Sequence, residues 1–214
     1  MPIPASSESL ELIAVNQILS SIGQAPVTDL NQTNPDVAIA YNTLLEVSRD
    51  VQTEGWTFNK DYNVKVYPQI DPITLERFIP WAEDVIEMNI SQDPSYFQKS
   101  QHKTVKREGK VWDRQRQTFE FPKDYYYFDF VRLYNWDDLP IPIRDYITAR
   151  ASAMTSQRVI GDPTQYQMLQ QKEAYCRAYA MEYECNQGQY SMFGDPKNGT
   201  NYNSFQPYKA LQRF

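Results

Sequence analysis

The chain has 214 residues, with 27 acidic against 21 basic side chains, and its net charge of −6 excludes a basic DNA-coating protein. Apolar residues make up 41% and glycine only 7 residues, which argues against a disordered chain and against repeated glycine-rich phosphate loops. The 16 tyrosines suit surfaces that meet other proteins, because a tyrosine can be half buried with its hydroxyl in water.

Membrane and secretion signals are not apparent in the sequence. No apolar run approaches the roughly 20 residues of a membrane-spanning helix, and the N-terminus lacks the basic and apolar regions of a signal peptide. We therefore expect a protein that is made in a cytoplasm and does not insert into membranes. Cys176 and Cys185 are expected to stay reduced, because on one helix they would point to opposite sides.

Two helices are predicted first, at about residues 8–22 and 35–54. Ser9 is a possible N-cap of the first, and Asn34 followed by Pro35 is a typical start for the second. Gly23 and Gly55 are expected to end them. The buried face of the second helix is predicted to consist of Ala38, Tyr41, Leu45, Ser48 and Gln52, with Val37, Leu44 and Val51 beside it.

A region of short alternating strands is expected next, from about residue 57 to residue 136. Its candidate strands are Trp56–Phe58, Val64–Tyr67, Val85–Ile90, Thr104–Asp113, Phe119–Phe121 and Phe128–Leu133. The Thr104–Asp113 segment is predicted to form a hairpin, with Gly109 supplying the positive φ of its turn.

The helical period returns with predicted helices at about 140–160 and 163–186. The last of these is expected to bury Leu169, Ala174, Cys176, Ala180 and Tyr183. The predicted fold class is therefore α+β, a discontinuous helical bundle with an inserted small antiparallel β domain. The predicted division is a helical domain of 1–56 plus 137–193, a β domain of 57–136, and an extended C-terminal tail of 194–214.

Catalytic and metal sites find little support in the sequence. One histidine, His102, and two cysteines on opposite helix faces cannot supply the three or four ligands of a zinc site, so no metal or cofactor is expected. Carboxylate pairs such as Asp137–Asp138 leave a tail-associated polysaccharide hydrolase as the alternative function. Such pairs are expected by chance among 27 acids, and Asp138 is better explained as a helix cap.

A basic run coincides with the predicted hairpin. Between Lys99 and Arg116 lie seven bases against two acids, and Lys106, Arg107, Lys110, Trp112 and Arg114 are candidate contact residues. One interpretation is contact with an acidic partner or a phosphate backbone, which would make the chain a nucleic-acid-binding module. The other is a solvated strand edge guarded by lysines against aggregation.

Three tyrosines, Tyr175, Tyr179 and Tyr183, recur every four residues in the last predicted helix and so lie on one face. They could pack in the core of the chain. They could equally form an interface, since a buried tyrosine hydroxyl without a partner is costly.

The sequence resembles the tail tubular protein A family of short-tailed bacteriophages over roughly residues 9 to 195. The segments that carry the resemblance, in order, are Leu12–Val27, Gln52–Asn59, Val111–Arg114, Val131–Leu133, Leu139–Pro140, Met181–Glu184 and Gly188–Met192. None of these segments is catalytic, and their order and spacing carry the likeness.

The resemblance implies a structural adaptor with a helical and a β domain. Twelve copies would form a ring between the portal vertex and a hexameric nozzle similar to tail tubular protein B, in a virion assembled in the host cytoplasm. DNA would leave through the ring without sequence-specific binding, and tail fibres would bind near the nozzle. The hairpin bases and helix tyrosines become candidate contacts to subunits, nozzle or fibres. The candidate portal contacts are Tyr190, Met192, Phe193, Phe205, Tyr208, Leu211 and Phe214.

Overall fold

A computed structural model of the chain describes residues 9–30, 34–72, 75–91 and 102–188. Within these ranges the chain forms four α-helices and a five-stranded antiparallel sheet, which confirms the α+β class. The helices are α1 Leu10–Ser21, α2 Pro35–Thr53, α3 Ile141–Val159 and α4 Pro163–Gly188. In these four helices, no stretch combines the length and apolar character needed to cross a membrane.

Local capping explains where α1, α2 and α4 begin, whereas α3 begins after Pro140 without a side-chain cap. The Ser9 hydroxyl accepts a hydrogen bond from the Leu12 N–H at 3.2 Å, and the Asn34 side chain accepts one from the Asp36 N–H at 3.0 Å. The Asp162 carboxylate accepts one from the Thr164 N–H at 3.0 Å, immediately before Pro163 starts α4. These side chains satisfy N–H groups that have no partner inside a helix, so the predicted starts are confirmed.

The helices bury an apolar cluster among α1, α2 and α3, to which α4 contributes Ala180. The predicted face of α2 is wrong by about a quarter turn, since Ala38 and Leu45 are exposed. The side chains that α2 buries are Val37, Ala40, Thr43, Leu44, Val47, Ser48, Val51 and Gln52. The sequence pattern placed Ala38 and Leu45 on one face with Ser48 and Gln52. Apolar spacing alone does not show where the buried face of a helix is centred.

The main sheet has the strand order β1–β7–β4–β5–β6, and a separate ribbon pairs β2 with β3. The strands are β1 Lys60–Val66, β2 Gln69–Ile70, β3 Arg77–Phe78, β4 Val85–Ser91, β5 His102–Arg107, β6 Lys110–Asp113 and β7 Tyr126–Arg132. The predicted hairpin is confirmed, with positive φ at Glu108 and Gly109 in its turn. A second apolar cluster, including Ile79, Val111, Phe121 and Phe128, lies under one face of the sheet.

Two strand predictions are wrong. Thr57–Asn59 forms a short 3₁₀ helix rather than a strand, because the Asn59 side chain accepts a hydrogen bond from the Trp56 N–H and bends the backbone. Phe119–Phe121 follows a turn and makes no strand. Only the preceding residue, Thr118, forms an isolated bridge, to Asp113. Alternation over three residues is therefore too short to specify pairing.

Two buried side-chain amides link the helices to the sheet where the chain crosses between them. Asn59 donates to the Gln52 carbonyl at 2.8 Å and to the Arg132 carbonyl at 3.0 Å. Gln52 accepts from the Tyr134 N–H at 2.8 Å and donates to the Tyr134 carbonyl at 3.2 Å. Both crossing segments are thus tied to the end of α2, and the bonds fix their relative position. The domain boundaries given above stay a prediction.

Candidate interface surfaces

The longest helix contributes least to the core. Helix α4 has 26 residues, of which only Ala180 is buried among those that the structure describes. The predicted core stripe of α4 is therefore wrong in most members, because Ala174 is exposed while Leu169, Cys176 and Tyr183 are half buried. Partial burial raises the pKa of the Cys176 thiol. Most of the other α4 side chains are exposed as far as the described residues show.

Three large side chains on α4 are exposed in line with one another. Met168, Tyr175 and Tyr179 retain 67%, 76% and 51% of their accessible surface. At about 100° per residue they fall within roughly 40° of arc, and Tyr183 lies about 40° further round, towards the core. Tyr175 and Tyr179 therefore do not pack in the core that the described residues form. We call Met168, Tyr175 and Tyr179 the α4 stripe.

A polar network holds α4 against α3 and the end of α2. Tyr146, fully buried, accepts hydrogen bonds from Arg177 at 2.6 Å and from Arg150 at 3.4 Å. Glu54 accepts from Arg177 at 3.3 Å and forms an ion pair with Arg150 at 3.7 Å. Tyr146 and Glu54 thus each bind both Arg150 and Arg177. Because Arg177 lies on the side of α4 away from the stripe, these bonds hold that side of the helix in place.

The C-terminal part of α4 is tied to the crossing between the helices and the sheet. Both carboxylate oxygens of Glu184 accept from the Thr57 N–H at 2.9 Å, and one accepts from the Thr57 hydroxyl at 2.6 Å. The bonds join residues far apart in sequence, so the pattern along α4 could not predict them. They orient α4 relative to the sheet.

Replacing Glu184 by alanine is expected to loosen this end of α4. Losing a charged acceptor that serves an N–H and a hydroxyl should lower the free energy of unfolding by about 1–3 kcal/mol. The measurement is urea unfolding together with amide hydrogen exchange over residues 178–188. Glu182→Ala is the matched control, because Glu182 is exposed on the same helix. An equal loss of unfolding free energy for Glu184→Ala and Glu182→Ala would contradict the role of Glu184 in holding this end of α4.

The hairpin of β5 and β6 separates its side chains onto two faces. Val105 pairs with Trp112 and Arg107 with Lys110, so these four share the outer face with Lys103. Thr104 pairs with Asp113 and Lys106 with Val111 on the other face, where Thr104, Val111 and Asp113 are buried. The hairpin candidates therefore do not form one group, since Lys106 lies on the face opposite to Arg107, Lys110 and Trp112.

Two cations of the hairpin, Arg107 and Lys110, lie against aromatic rings. The Arg107 guanidinium lies 4.8 Å from the centre of the Trp112 ring, whose neighbour Phe119 packs edge-on at 4.5 Å. The Lys110 ammonium lies 3.2 Å from an Asp71 carboxylate oxygen and 4.3 Å from the Phe78 ring. Lys110 is thus paired within the chain, whereas stacking leaves the edge donors of Arg107 available.

The edge-protection interpretation of these bases is weakened by pairing along β6. The Val111 N–H donates to the Ile79 carbonyl at 2.9 Å, and the Trp81 N–H donates to the Gly109 carbonyl at 2.8 Å. Residues 79–81 therefore occupy part of the outer edge of β6. Because that part is already paired, edge protection does not explain Lys110, the base that β6 contributes.

A second aromatic cluster, which the sequence prediction missed, lies at the other end of the same sheet. The Lys65 ammonium is 3.9 Å from the centre of the Tyr125 ring and 5.3 Å from that of Tyr67. A hydrogen bond with Tyr67 raises the pKa of Lys65. Tyr127, opposite Lys65 in the register, packs on Tyr125 at 5.7 Å. Only the pairing of β1 with β7 brings these residues together.

Arginines neutralise much of the acidic surface of α2. Glu46 and Glu54 lie eight residues apart, two steps of i,i+4 on one face of the helix. Glu46 receives two hydrogen bonds from Arg158, at 2.8 and 3.1 Å, which lower the pKa of its carboxyl. Glu54 is bound by Arg150 and Arg177. The excess of acid in the first two helices is therefore partly balanced by the last two.

The remaining predicted site residues lie either outside the described residues or in exposed turns. The predicted portal contacts Tyr190, Met192, Phe193, Phe205, Tyr208, Leu211 and Phe214 lie outside the described residues. Arg114 is exposed in the turn after β6. Asp137 and Asp138, the pair considered for hydrolysis, are both exposed in a short 3₁₀ helix, Trp136–Asp138.

An exposed line of methionine and tyrosine on a helix and an exposed cationic sheet face are both features of surfaces that contact other proteins. The family model described as tail tubular protein matches residues 12–190, and the chain belongs to that family. The protein is a structural component of a phage tail, and its family is not an enzyme family. A search of curated proteins finds no match.

Proposed function

We propose that the chain is the head-to-tail adaptor of a short phage tail. In this proposal twelve copies form a closed ring between the portal and a hexameric nozzle. The ring lets DNA pass through its lumen without sequence-specific binding, and it offers sites to tail fibres. The C-terminal residues from Tyr190 onward would contact the portal, and assembly would take place in the host cytoplasm.

The α4 stripe is the observation that carries this proposal. Tyrosine and methionine are enriched at protein interfaces, and here a firmly held helix presents both in one line. A closed ring needs a heterologous contact, in which the stripe of one copy meets a different surface of the next. Such a contact would bury side chains that the isolated chain leaves in water.

A weakly interacting lumen is compatible with the charge distribution. The chain is acidic as a whole, and a carboxylate-bearing wall repels phosphates instead of binding them. Carboxylates that are paired with arginine, such as Glu46 with Arg158, remain on the surface, and the arginine weakens their negative electrostatic potential. The proposal therefore needs a lumen that is slightly acidic, and not one that is strongly so.

The test of this function is the position of the chain in the tail. An affinity tag at the N-terminus, labelled with gold, should appear in electron micrographs of isolated virions as a band between portal and nozzle. Label at the distal tip of the tail, or along the fibres only, would contradict the adaptor role.

A further inference from the structure

The hairpin carries several cations that form no ion pair with any of the described residues. Between residues 103 and 116 there are six bases against two acids. Lys110 and Arg116 form ion pairs, with Asp71 and Asp113, but in the described part of the chain Lys103, Lys106, Arg107 and Arg114 form none. Elsewhere in the described ranges the bases divide into two groups. Ion pairs to carboxylates are formed by Arg77, Arg132, Arg150, Arg158 and Arg177. No ion pair is formed there by Arg49, Lys60, Lys65, Lys123, Arg144 or Lys172. The hairpin thus gathers four such cations within twelve residues, and this concentration offers a site for an external carboxylate or phosphate.

The geometry of the face distinguishes between ligand classes. A sheet that binds single-stranded nucleic acid or sugar rings needs open aromatic faces for stacking. Here the Arg107 guanidinium already covers the Trp112 ring, and Phe119 packs against that ring edge-on. What remains exposed is the hydrogen-bonding edge of a guanidinium above an apolar base formed by Val105 and Trp112. This arrangement suits a carboxylate-bearing protein surface.

The same chain has a surface of opposite charge at the start of α3. Asp137 and Asp138 precede the helix, and Asp145 lies one turn after Ile141, which is 64% exposed. None of the three aspartates makes an ion pair within the described ranges, and Arg144 is the base nearest in sequence. We call Asp137, Asp138, Ile141 and Asp145 the α3 patch. Like the hairpin face, it combines an apolar centre with unpaired charge.

We propose that in the ring the hairpin face of one copy binds the α3 patch of the next copy. This inference rests on the proposed function, because it needs neighbouring copies. Two observations favour it. The charges are complementary, and in strand order the hairpin is the part of the sheet farthest from β1 and β7, which connect to the helices. It is therefore placed to reach beyond its own chain. The two surfaces differ, as a heterologous ring contact requires.

The experiment compares adjacent residues on opposite faces of one strand, in virions that carry the full chain. Arg107→Glu reverses charge on the outer face, and Lys106→Glu makes the same change on the opposite face, where Lys106 is also exposed. The amount of chain retained per isolated tail, measured by quantitative mass spectrometry relative to the portal, is expected to fall about tenfold for Arg107→Glu, because like charges then meet across the contact. Lys106→Glu should stay close to the unaltered chain.

Rescue identifies the partner surface. Adding Asp138→Lys or Asp145→Lys to Arg107→Glu in the same chain should restore much of the retention, since opposite charges face each other again. Equal retention of the two single variants, or no rescue by any aspartate of the α3 patch, would overturn the inference while the ring stands. Weaker binding of duplex DNA by Arg107→Glu, with retention unchanged, would assign the face to DNA and also overturn it. If micrographs show no ring for the unaltered chain, the proposed function fails as well.

Discussion

Replacing Tyr175 and Tyr179 together by aspartate is expected to prevent ring assembly while leaving the fold of the single chain intact. Both side chains are more than half exposed, so the free energy of unfolding should change by no more than about 0.5 kcal/mol per site. In the ring the change would place two carboxylates in an apolar contact. That should weaken association by about 3 kcal/mol or more, roughly a hundredfold.

The matched control for the α4 stripe is Met181→Asp. Met181 is 45% exposed on the same helix, and at about 100° per residue it points roughly 200° away from Tyr179. Electron micrographs of tails should lack rings with the double variant and keep them with the control. Circular dichroism and urea unfolding should give the same values for both. Rings that persist in the double variant would remove α4 from the subunit contact.

The largest effect on stability is expected at Asn59. Its side chain is fully buried, accepts from the Trp56 N–H at 2.7 Å and donates to the carbonyls of Gln52 and Arg132. Asn59→Ala leaves three backbone groups without these bonds in a place that water does not reach. We expect the free energy of unfolding to fall by about 2–4 kcal/mol, and Tm by roughly 5–15 °C for a chain of this size.

The Asn59 prediction has a control on the neighbouring helix. Asn42 is exposed on α2, so Asn42→Ala should change the free energy of unfolding by no more than about 0.5 kcal/mol. Asn59→Asp should be at least as damaging as Asn59→Ala, because it buries a charge and removes both donors. A loss for Asn59→Ala no larger than for Asn42→Ala would contradict the role of this amide at the crossing.

Local chemistry explains which parts of the fold the sequence could predict. A cap such as Asn34 acts on N–H groups within three residues, so the pattern that shows it also shows its partner. The hairpin turn at Gly109 is equally local. The fold class followed from such signals, because two helices, a run of strands and two more helices can be read in order along the chain.

Several of the errors involve contacts between distant residues, in addition to the local hydrogen bond of Asn59. Thr57 was predicted to lie in a strand, but its N–H is bound by Glu184, 127 residues later. Helix α4 was predicted to have a core stripe, yet Arg177 and Glu184 hold it in place through polar bonds and leave the tyrosines outside. The spacing of apolar residues along the sequence carries no information about such polar bonds.

The candidate surfaces were predictable only in part. The tyrosine spacing on α4 and the base-rich hairpin were both visible in the sequence. The separation of Lys106 from Arg107 needed the register of β5 with β6, and the Lys65–Tyr125 cluster needed the pairing of β1 with β7. The neutralisation of Glu46 by Arg158 depends on the packing of α2 against α3.

The order of rotational symmetry tests the central claim most directly. Tails isolated from virions, viewed end-on and averaged by electron microscopy, should show a ring of this chain with twelvefold symmetry. A ring of another order, or a single copy of the chain in each tail, would contradict the adaptor account.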